Sequence, residues 1–298
     1  MFVFGPVPSR RLGRSLGVNN IPFKHCSYSC VYCQLGRTGK LIAERRKFFD
    51  PKAIFMEVEK RMKMGTAGME VDYITFVPDG EPTLDMYLGA EIQLLKELGR
   101  VAVITNSSLV FRRDVRADLS RADLVSLKVD AVDEELWKRI NRPHPSLKLD
   151  EILRGMEKFA EEYEGTIITE TMLVEGFTTL ESIERIAEFL EVIQPRTAYL
   201  SIPTRPPAER VKAPEWEFVA EAAKIFGRFV EVDLLVEAES GEFGINSRED
   251  VLAIASVHPL REDILEGYLR KLNLSISDLI DELEEIEYSG IKYYRKKN

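Results

Sequence analysis

The chain has 298 residues, 45% of them hydrophobic and 31% charged, with a net charge of −9. This is the composition of an ordinary globular protein of one large domain, or one domain plus a small appendage. No run of about 18 apolar residues occurs, and Met1-Phe2-Val3-Phe4-Gly5-Pro6 is no basic, apolar leader, so neither a membrane span nor a signal peptide is expected, and the expected location is cytoplasmic.

Leu16-Gly17-Val18 reads as a first strand and is followed by a loop that carries the cysteines. Strand and helix patterns then alternate. Strands are expected at Val71–Val77, Val101–Thr105, Leu124–Val129, Thr166–Val174, Thr197–Ile202 and Phe229–Val236. Helices are expected near 85–99, 112–119, 133–140, 149–162, 180–193 and 214–227. Buried apolar strands joined by helices predict an α/β fold, with a parallel sheet and right-handed crossovers, open or curled into a barrel. Glu239–Ser247 reads as a linker. Beyond it, helical patterns near 249–256, 260–271 and 276–285 precede a hairpin around Ser289-Gly290, with Ser275 and Asp278 as a capping box. The expected domains are residues 1–240 and a winged-helix-like appendage, 248–298.

All three cysteines, Cys26, Cys30 and Cys33, fall within eight residues of one another. Three thiolates on one short loop can wrap a soft metal centre. A four-iron cluster held this way keeps one iron free of protein ligands. Zinc would call for a second Cys or His pair, and none is present; a Cys30–Cys33 dithiol would leave Cys26 idle. Disulfides fit an odd, tightly spaced set poorly. An iron–sulfur or zinc-binding electron-transfer or interaction protein is the alternative these residues leave open. The loop lies in a basic segment: residues 1–48 carry nine Lys or Arg and one acid, so that segment is +8 and the rest of the chain −17. The charge is either solvated loop residues or the mouth of a site for an anionic substrate.

The spacing Cys-x3-Cys-x2-Cys, with aromatic Tyr32 before the last cysteine, resembles the radical S-adenosylmethionine (SAM) enzymes. Gly5–Gly13 and Val31–Thr38 further resemble a group related to the wyosine tRNA-modifying enzymes. The resemblance implies a partial (β/α)6 TIM-like barrel with its site at the C-terminal ends of the strands. It also implies a [4Fe–4S] cluster on Cys26, Cys30 and Cys33, with SAM completing the fourth iron and giving a 5′-deoxyadenosyl radical that abstracts hydrogen from substrate. Val77-Pro78-Asp79-Gly80-Glu81-Pro82 is similar to the family's Gly-Gly-Glu motif, which binds the SAM amino group. Here Asp79 replaces the first glycine, while Gly80, Glu81 and Pro82 match. At other strand ends the resemblance implies ribose or carboxylate contacts from Asn106 and adenine packing near Thr204.

Ser126, Lys128 and Asp130 share one face of a strand. A lysine on a buried strand needs an anion, which is either the SAM carboxylate or an internal acid, Asp130 or Glu170. Glu170, a carboxylate in an apolar strand, is a candidate catalytic residue for the same reason. Asn141-Arg142-Pro143-His144-Pro145 reads as a rigid polar loop, either a substrate contact or simply a helix-to-helix turn. The relatives' second-cluster cysteines and the two additional cysteines of radical RNA methyltransferases are absent. Expected partners are a ferredoxin- or flavodoxin-like electron donor and a substrate that is RNA, a phosphorylated metabolite or a protein. DNA is not expected, because the helix read at 275–287 carries six acids and no base.

Overall fold

The computed structural model describes residues 2–63, 70–235, 245 and 247–297. Strands β1 (Val3–Ser9) and β2 (Gly13–Val18) form an antiparallel pair, and a two-residue ladder joins β3 (His25–Cys26) to β4 (Lys40–Leu41). Then follow α1 (Pro51–Lys63), β5 (Tyr73–Phe76), α2 (Leu88–Leu95), β6 (Val101–Thr105), α3 (Arg113–Leu119) and β7 (Leu124–Lys128). Next come α4 (Glu134–Ile140), α5 (Leu149–Glu162), β8 (Thr166–Met172), α6 (Leu180–Ile193), β9 (Thr197–Ser201), α7 (Trp216–Phe226) and β10 (Val232–Leu235).

The large sheet runs β1-β2-β5-β6-β7-β8-β9-β10, parallel from β2 onward. Spatial order equals chain order. Right-handed crossovers in such a sheet put every helix on one side, and the sheet curls away from them. The result is the expected partial TIM-like barrel. Two faces follow from the two-residue period of the strands. Ile74, Phe76, Val103, Val125, Leu127 and Leu200 pack on the helices in the main core. Tyr73, Ala102, Leu124, Ile168 and Tyr199, with Leu12, plug the inner face. Each large apolar side chain removed from water contributes about 1.5–3 kcal/mol.

The helices form where the apolar spacing predicts. Helix α5 buries Leu149, Ile152, Met156 and Phe159 along one stripe, and Thr179 and Ser182 cap α6 reciprocally. Two elements were not legible. The apolar stripe of α1 buries only Ile54 and Val58. Strand β1 contains Gly5, Pro6 and Pro8, residues that depress strand propensity. An edge strand tolerates them, because one of its sides needs no ladder.

The C-terminal module comprises α8 (Arg248–Val257), β11 (Leu260–Arg261), α9 (Glu262–Lys271), β12 (Leu283–Tyr288) and β13 (Ile291–Lys296). The helix expected at 276–285 is not there. Its capping box starts only a 3-10 turn, Ile276–Leu279, after which the chain runs as β12 beside β13. The acids that looked like a helix surface pair across the hairpin instead. Glu284 meets Arg295, and Glu285 meets Lys292 at 3.2 Å. The acidic recognition helix therefore does not exist, and the argument against DNA built on it lapses. Most of the linker read at Glu239–Ser247 lies outside the described residues.

The module is joined to the barrel by Phe4, which packs among Val251, Ile254 and Leu260. Arg61 of α1 also holds Asp250 at 2.8 Å and the carbonyl of Gly5 at 2.6 Å. Phe4 lies over Gly17, where a Cβ would stand 2.1 Å from the ring. Gly17→Ala is expected to lower stability by about 1–3 kcal/mol, read as a lower urea midpoint at unchanged m-value.

Candidate active site

The cysteine loop is held from behind. Tyr28 and Val31 are buried, with Tyr28 edge-on to Trp137 and accepting its Nε1–H at 3.0 Å. Backbone N–H groups of Ser29 and Val31 donate to Asn141 and Ile140, at the end of α4, at 2.9 and 3.0 Å. With its apolar residues turned inward, the loop leaves all three thiols free and half-buried. Among the described residues, no three Cys, His, Asp or Glu side chains stand close enough together to share one metal ion. A cluster offers each thiolate its own iron and needs no such convergence.

The turn after β5 docks onto this loop through the backbone. Lys24 N donates to Asp79 O at 2.9 Å, and Glu81 N donates to His25 O at 3.1 Å. A Cβ on Gly80 would sit 1.9 Å from that same His25 oxygen, so only glycine fits. Asp79 takes part in this docking through its carbonyl. Its side chain folds away onto Asn19 at 2.8 Å, and burial pushes its carboxyl up to about 6. The Glu81 carboxylate accepts from Thr83 N (3.0 Å), Thr83 Oγ1 (2.6 Å), Thr105 Oγ1 (2.6 Å) and Asn106 N (2.7 Å). Its acceptor sites are thus filled from within. It locks the turn after β5 to the end of β6, and what the turn can still offer a ligand is backbone.

Two asparagines reach the thiols. Asn106 Nδ2 lies 3.5 Å from Cys26 Sγ and 2.9 Å from Ser27 Oγ. Asn141 Nδ2 lies 3.5 Å from Cys30 Sγ and donates to Asp130 at 2.6 Å. Tyr32 OH donates to the same Asp130 carboxylate. Asn141 was missed in the sequence, where nothing separates it from an ordinary helix-ending polar residue. Burial, then the charge of Glu81, pushes the Cys26 thiol well above its usual range. Burial, then Asp130, pushes Cys30 up to about 12. The protein alone therefore favours thiols here, and a cationic metal centre is what would deprotonate them.

On the inner face, above the apolar plug, Lys128 and Glu170 are register partners on β7 and β8, with Nζ 2.9 Å from Oε1. Asp130 lies 3.8 Å from the same Nζ, Arg11 closes on the other oxygen of Glu170, and Ser201 Oγ donates to it at 3.1 Å. Lys128 thus has an internal acid partner. Burial opposes the Glu170 charge, but Arg11 and then Lys128 outweigh it and hold the carboxyl at about 2. Ser126 is buried one pleat below Lys128 on the same face. Thr204 lies in the loop after β9, its carbonyl accepting from Tyr293 OH of the C-terminal module at 3.0 Å.

Much of the basic segment is paired. Arg45 is committed to Asp114, Asp118 and the carbonyls of Thr83 and Asp85, and Arg37 and Arg142 share Glu209. The mouth is less positive than the count of charges implies.

Glu170→Gln leaves Arg11 without its acid and Lys128 with only Asp130, at 3.8 Å, and is expected to lower stability by about 2–3 kcal/mol, at the low end for a buried pair because these side chains keep some solvent contact. Because the folded-state value lies below the usual 4.5, wild type holds this increment above that pH and loses it as pH falls towards 2. The variant's deficit, measured by denaturant titration at several pH values, should shrink over that window.

Residues 20–190 match the Radical SAM superfamily model. A UPF0026 protein of Methanocaldococcus jannaschii is 48% identical over 98% of this chain and 95% of its own length. A UPF0026 protein of Synechocystis is 39% identical over 68% of this chain and 76% of its own. The crystal structure of a radical SAM methyltransferase from Sphaerobacter thermophilus superposes with a TM-score of 0.55 at 17% identity. That match covers 74% of this chain and 66% of that one, and is a likeness of fold. With a family match over more than half the chain and a relative aligned along almost all of it, the protein belongs to the radical SAM superfamily, among its UPF0026 members.

Proposed function

We propose that this protein is a single-cluster radical SAM enzyme in which Cys26, Cys30 and Cys33 hold a [4Fe–4S] cluster. The observation that carries the reading is the docking of a three-thiol loop onto a glycine turn at the C-terminal end of β5. When bound and reduced, the cluster supplies the electron that cleaves the sulfonium C–S bond of SAM, giving a 5′-deoxyadenosyl radical for hydrogen abstraction.

The chain's own residues divide the remaining work. Asn106 and Asn141 donate towards Cys26 and Cys30, which favours thiolates and tunes the potential of whatever they hold. The Gly80 carbonyl offers an acceptor for the SAM amino group, while the Pro82 carbonyl already accepts from Asp85 N at 3.1 Å, and Glu81 keeps that turn and Asn106 in register from behind. Thr204 flanks the adenine side. Lys128, with Arg11, Glu170 and Asp130, lines the barrel interior where substrate enters; Glu170 there positions cations and is too acidic to act as a proton donor near neutral pH. Tyr32, under the Lys128 ammonium at 4.9 Å, joins the two groups of residues.

The three cysteines leave no thiolate set for a second cluster and no spare pair for cysteine-based methyl transfer. The reaction classes that remain need one cluster, one SAM, a low-potential electron donor of ferredoxin or flavodoxin type, and one substrate C–H bond. A phosphorylated metabolite, RNA or a partner protein can supply that bond.

Anaerobic reconstitution with iron and sulfide, then reduction with SAM, is expected to release 5′-deoxyadenosine. Cys26→Ala, Cys30→Ala and Cys33→Ala should each abolish both cluster and product. Zinc without labile sulfide in the purified protein would sink the proposal in favour of a metal-binding module. Asn106→Leu should keep the cluster and lower its reduction potential in an EPR-monitored titration, since an N–H···S contact stabilises the reduced, more negative state.

A further inference from the structure

Lys24 stands apart from the other bases of the N-terminal segment. Its side chain is buried, 8% exposed, and Nζ has no hydrogen-bond partner. Its backbone is pinned on both sides, its N–H to Asp79 O at 2.9 Å and its carbonyl to Lys40 N at 3.0 Å. An ammonium taken out of water without an acceptor is destabilising.

Arg295, on β13 of the C-terminal module, reaches the same place. Its Nε and Nη2 are committed to Glu284. Among the described residues, an atom placed one bond off the Gly36 Cα would meet, within 4 Å and beyond its chain neighbours, Arg295 Nη1 at 3.2 Å and Lys24 Nζ at 3.4 Å. Two cationic nitrogens therefore crowd one point beside the turn after Cys33, where Gly36 N donates to Cys33 O at 2.9 Å. Gly36 has φ +81°, a conformation that suits glycine, and a side chain there would press on both nitrogens. The Phe23 ring faces Nζ at 5.8 Å, and Cys33, Cys26 and then Asp79 are the nearby groups that can carry negative charge, but none hydrogen-bonds to it. Like charges gathered away from water become favourable when an oxyanion accepts from both.

We propose that Lys24 and Arg295, brought together beside Gly36, form an oxyanion site for a phosphate monoester, at the seam between the cysteine loop and the C-terminal module. A dianionic phosphate matches two cations better than a carboxylate does. The module then supplies half of a binding site, and the substrate is a small phosphorylated molecule. That assignment to substrate rests on the radical SAM reading; the anion site itself does not.

The test is calorimetric titration of the reconstituted full-length protein, without SAM, at low salt. The probes are inorganic phosphate, phenyl phosphate and a short oligoribonucleotide lacking a terminal phosphate. Phosphate and phenyl phosphate are expected to bind saturably and compete. Lys24→Met and Arg295→Met should each weaken binding roughly tenfold or more, with iron content and circular dichroism unchanged. Should Lys24→Met lose the cluster, Arg295→Met, far from it in sequence, decides. Absence of saturable phosphate binding in the wild type, or unchanged affinity in the variants, overturns the site. Displacement of phosphate by the oligoribonucleotide overturns the monoester assignment. Release of 5′-deoxyadenosine without phosphate binding rejects this site alone, and phosphate binding without 5′-deoxyadenosine rejects the radical reading alone.

Discussion

The contact on which the site depends is between two backbones: the carbonyl of His25, one residue before the first cysteine, and the Gly80-Glu81 peptide. Glu81 N donates to that oxygen, and Gly80 lets it approach to a distance no side chain would allow. The cysteine loop is long, carries little regular structure and buries few residues of its own, so its position has to be imposed from outside. The Gly80 turn imposes it on one side, and the end of α4 does so on the other. Glu81 extends the same constraint inward, tying the 3-10 turn, the end of β6 and Asn106 to one carboxylate. A buried carboxylate with its acceptor sites filled is rigid, and its neighbours inherit that rigidity.

Charge is distributed along the same lines. The chain is acidic overall and basic at its start, yet most of the arginines in that segment are paired with acids from distant elements. Arg45 braces the loops beneath the site, Arg11 turns into the barrel to meet Glu170, and Arg37 closes on Glu209. What is left near the thiols is selective: Lys24 with no hydrogen-bond acceptor, two asparagine amides directed at sulfur, and half-buried thiols that call for a metal to ionise them. The C-terminal module takes part in this arrangement. Tyr293 holds the carbonyl of Thr204, Gln34 reaches the carbonyl of Val257, and Arg295 stands over the turn after Cys33. It contacts both flanks of the site.

The legible parts of the fold were those set by local pattern. Helix α5, with its single apolar stripe, and strands β6 to β9, each a short β-branched or apolar run, came out nearly residue for residue, because burial on one helix face or a whole strand selects a period that survives in one sequence. The failures were places where a distant partner overrode local preference. Residues 283–288 are rich in glutamate and look helical alone. They form a strand because Lys292 and Arg295 lie opposite. Strand β1 is full of breakers and is a strand because β2 supplies the one ladder it needs.

For the site, the cysteine triplet, its spacing and the Gly80-Glu81-Pro82 turn were determined by sequence alone, since thiol chemistry and glycine's missing Cβ are properties of residue types. Sequence also narrowed Lys128 to a ligand anion or an internal acid. Only the tertiary structure decided that the acid is Glu170, that the Glu81 carboxylate faces inward, that Asn141 serves Cys30, and that Arg295 comes beside Lys24 across 270 intervening residues. Such pairings depend on which strands become neighbours and in what register. That is settled by the packing of the whole sheet and leaves no mark on either partner's local sequence.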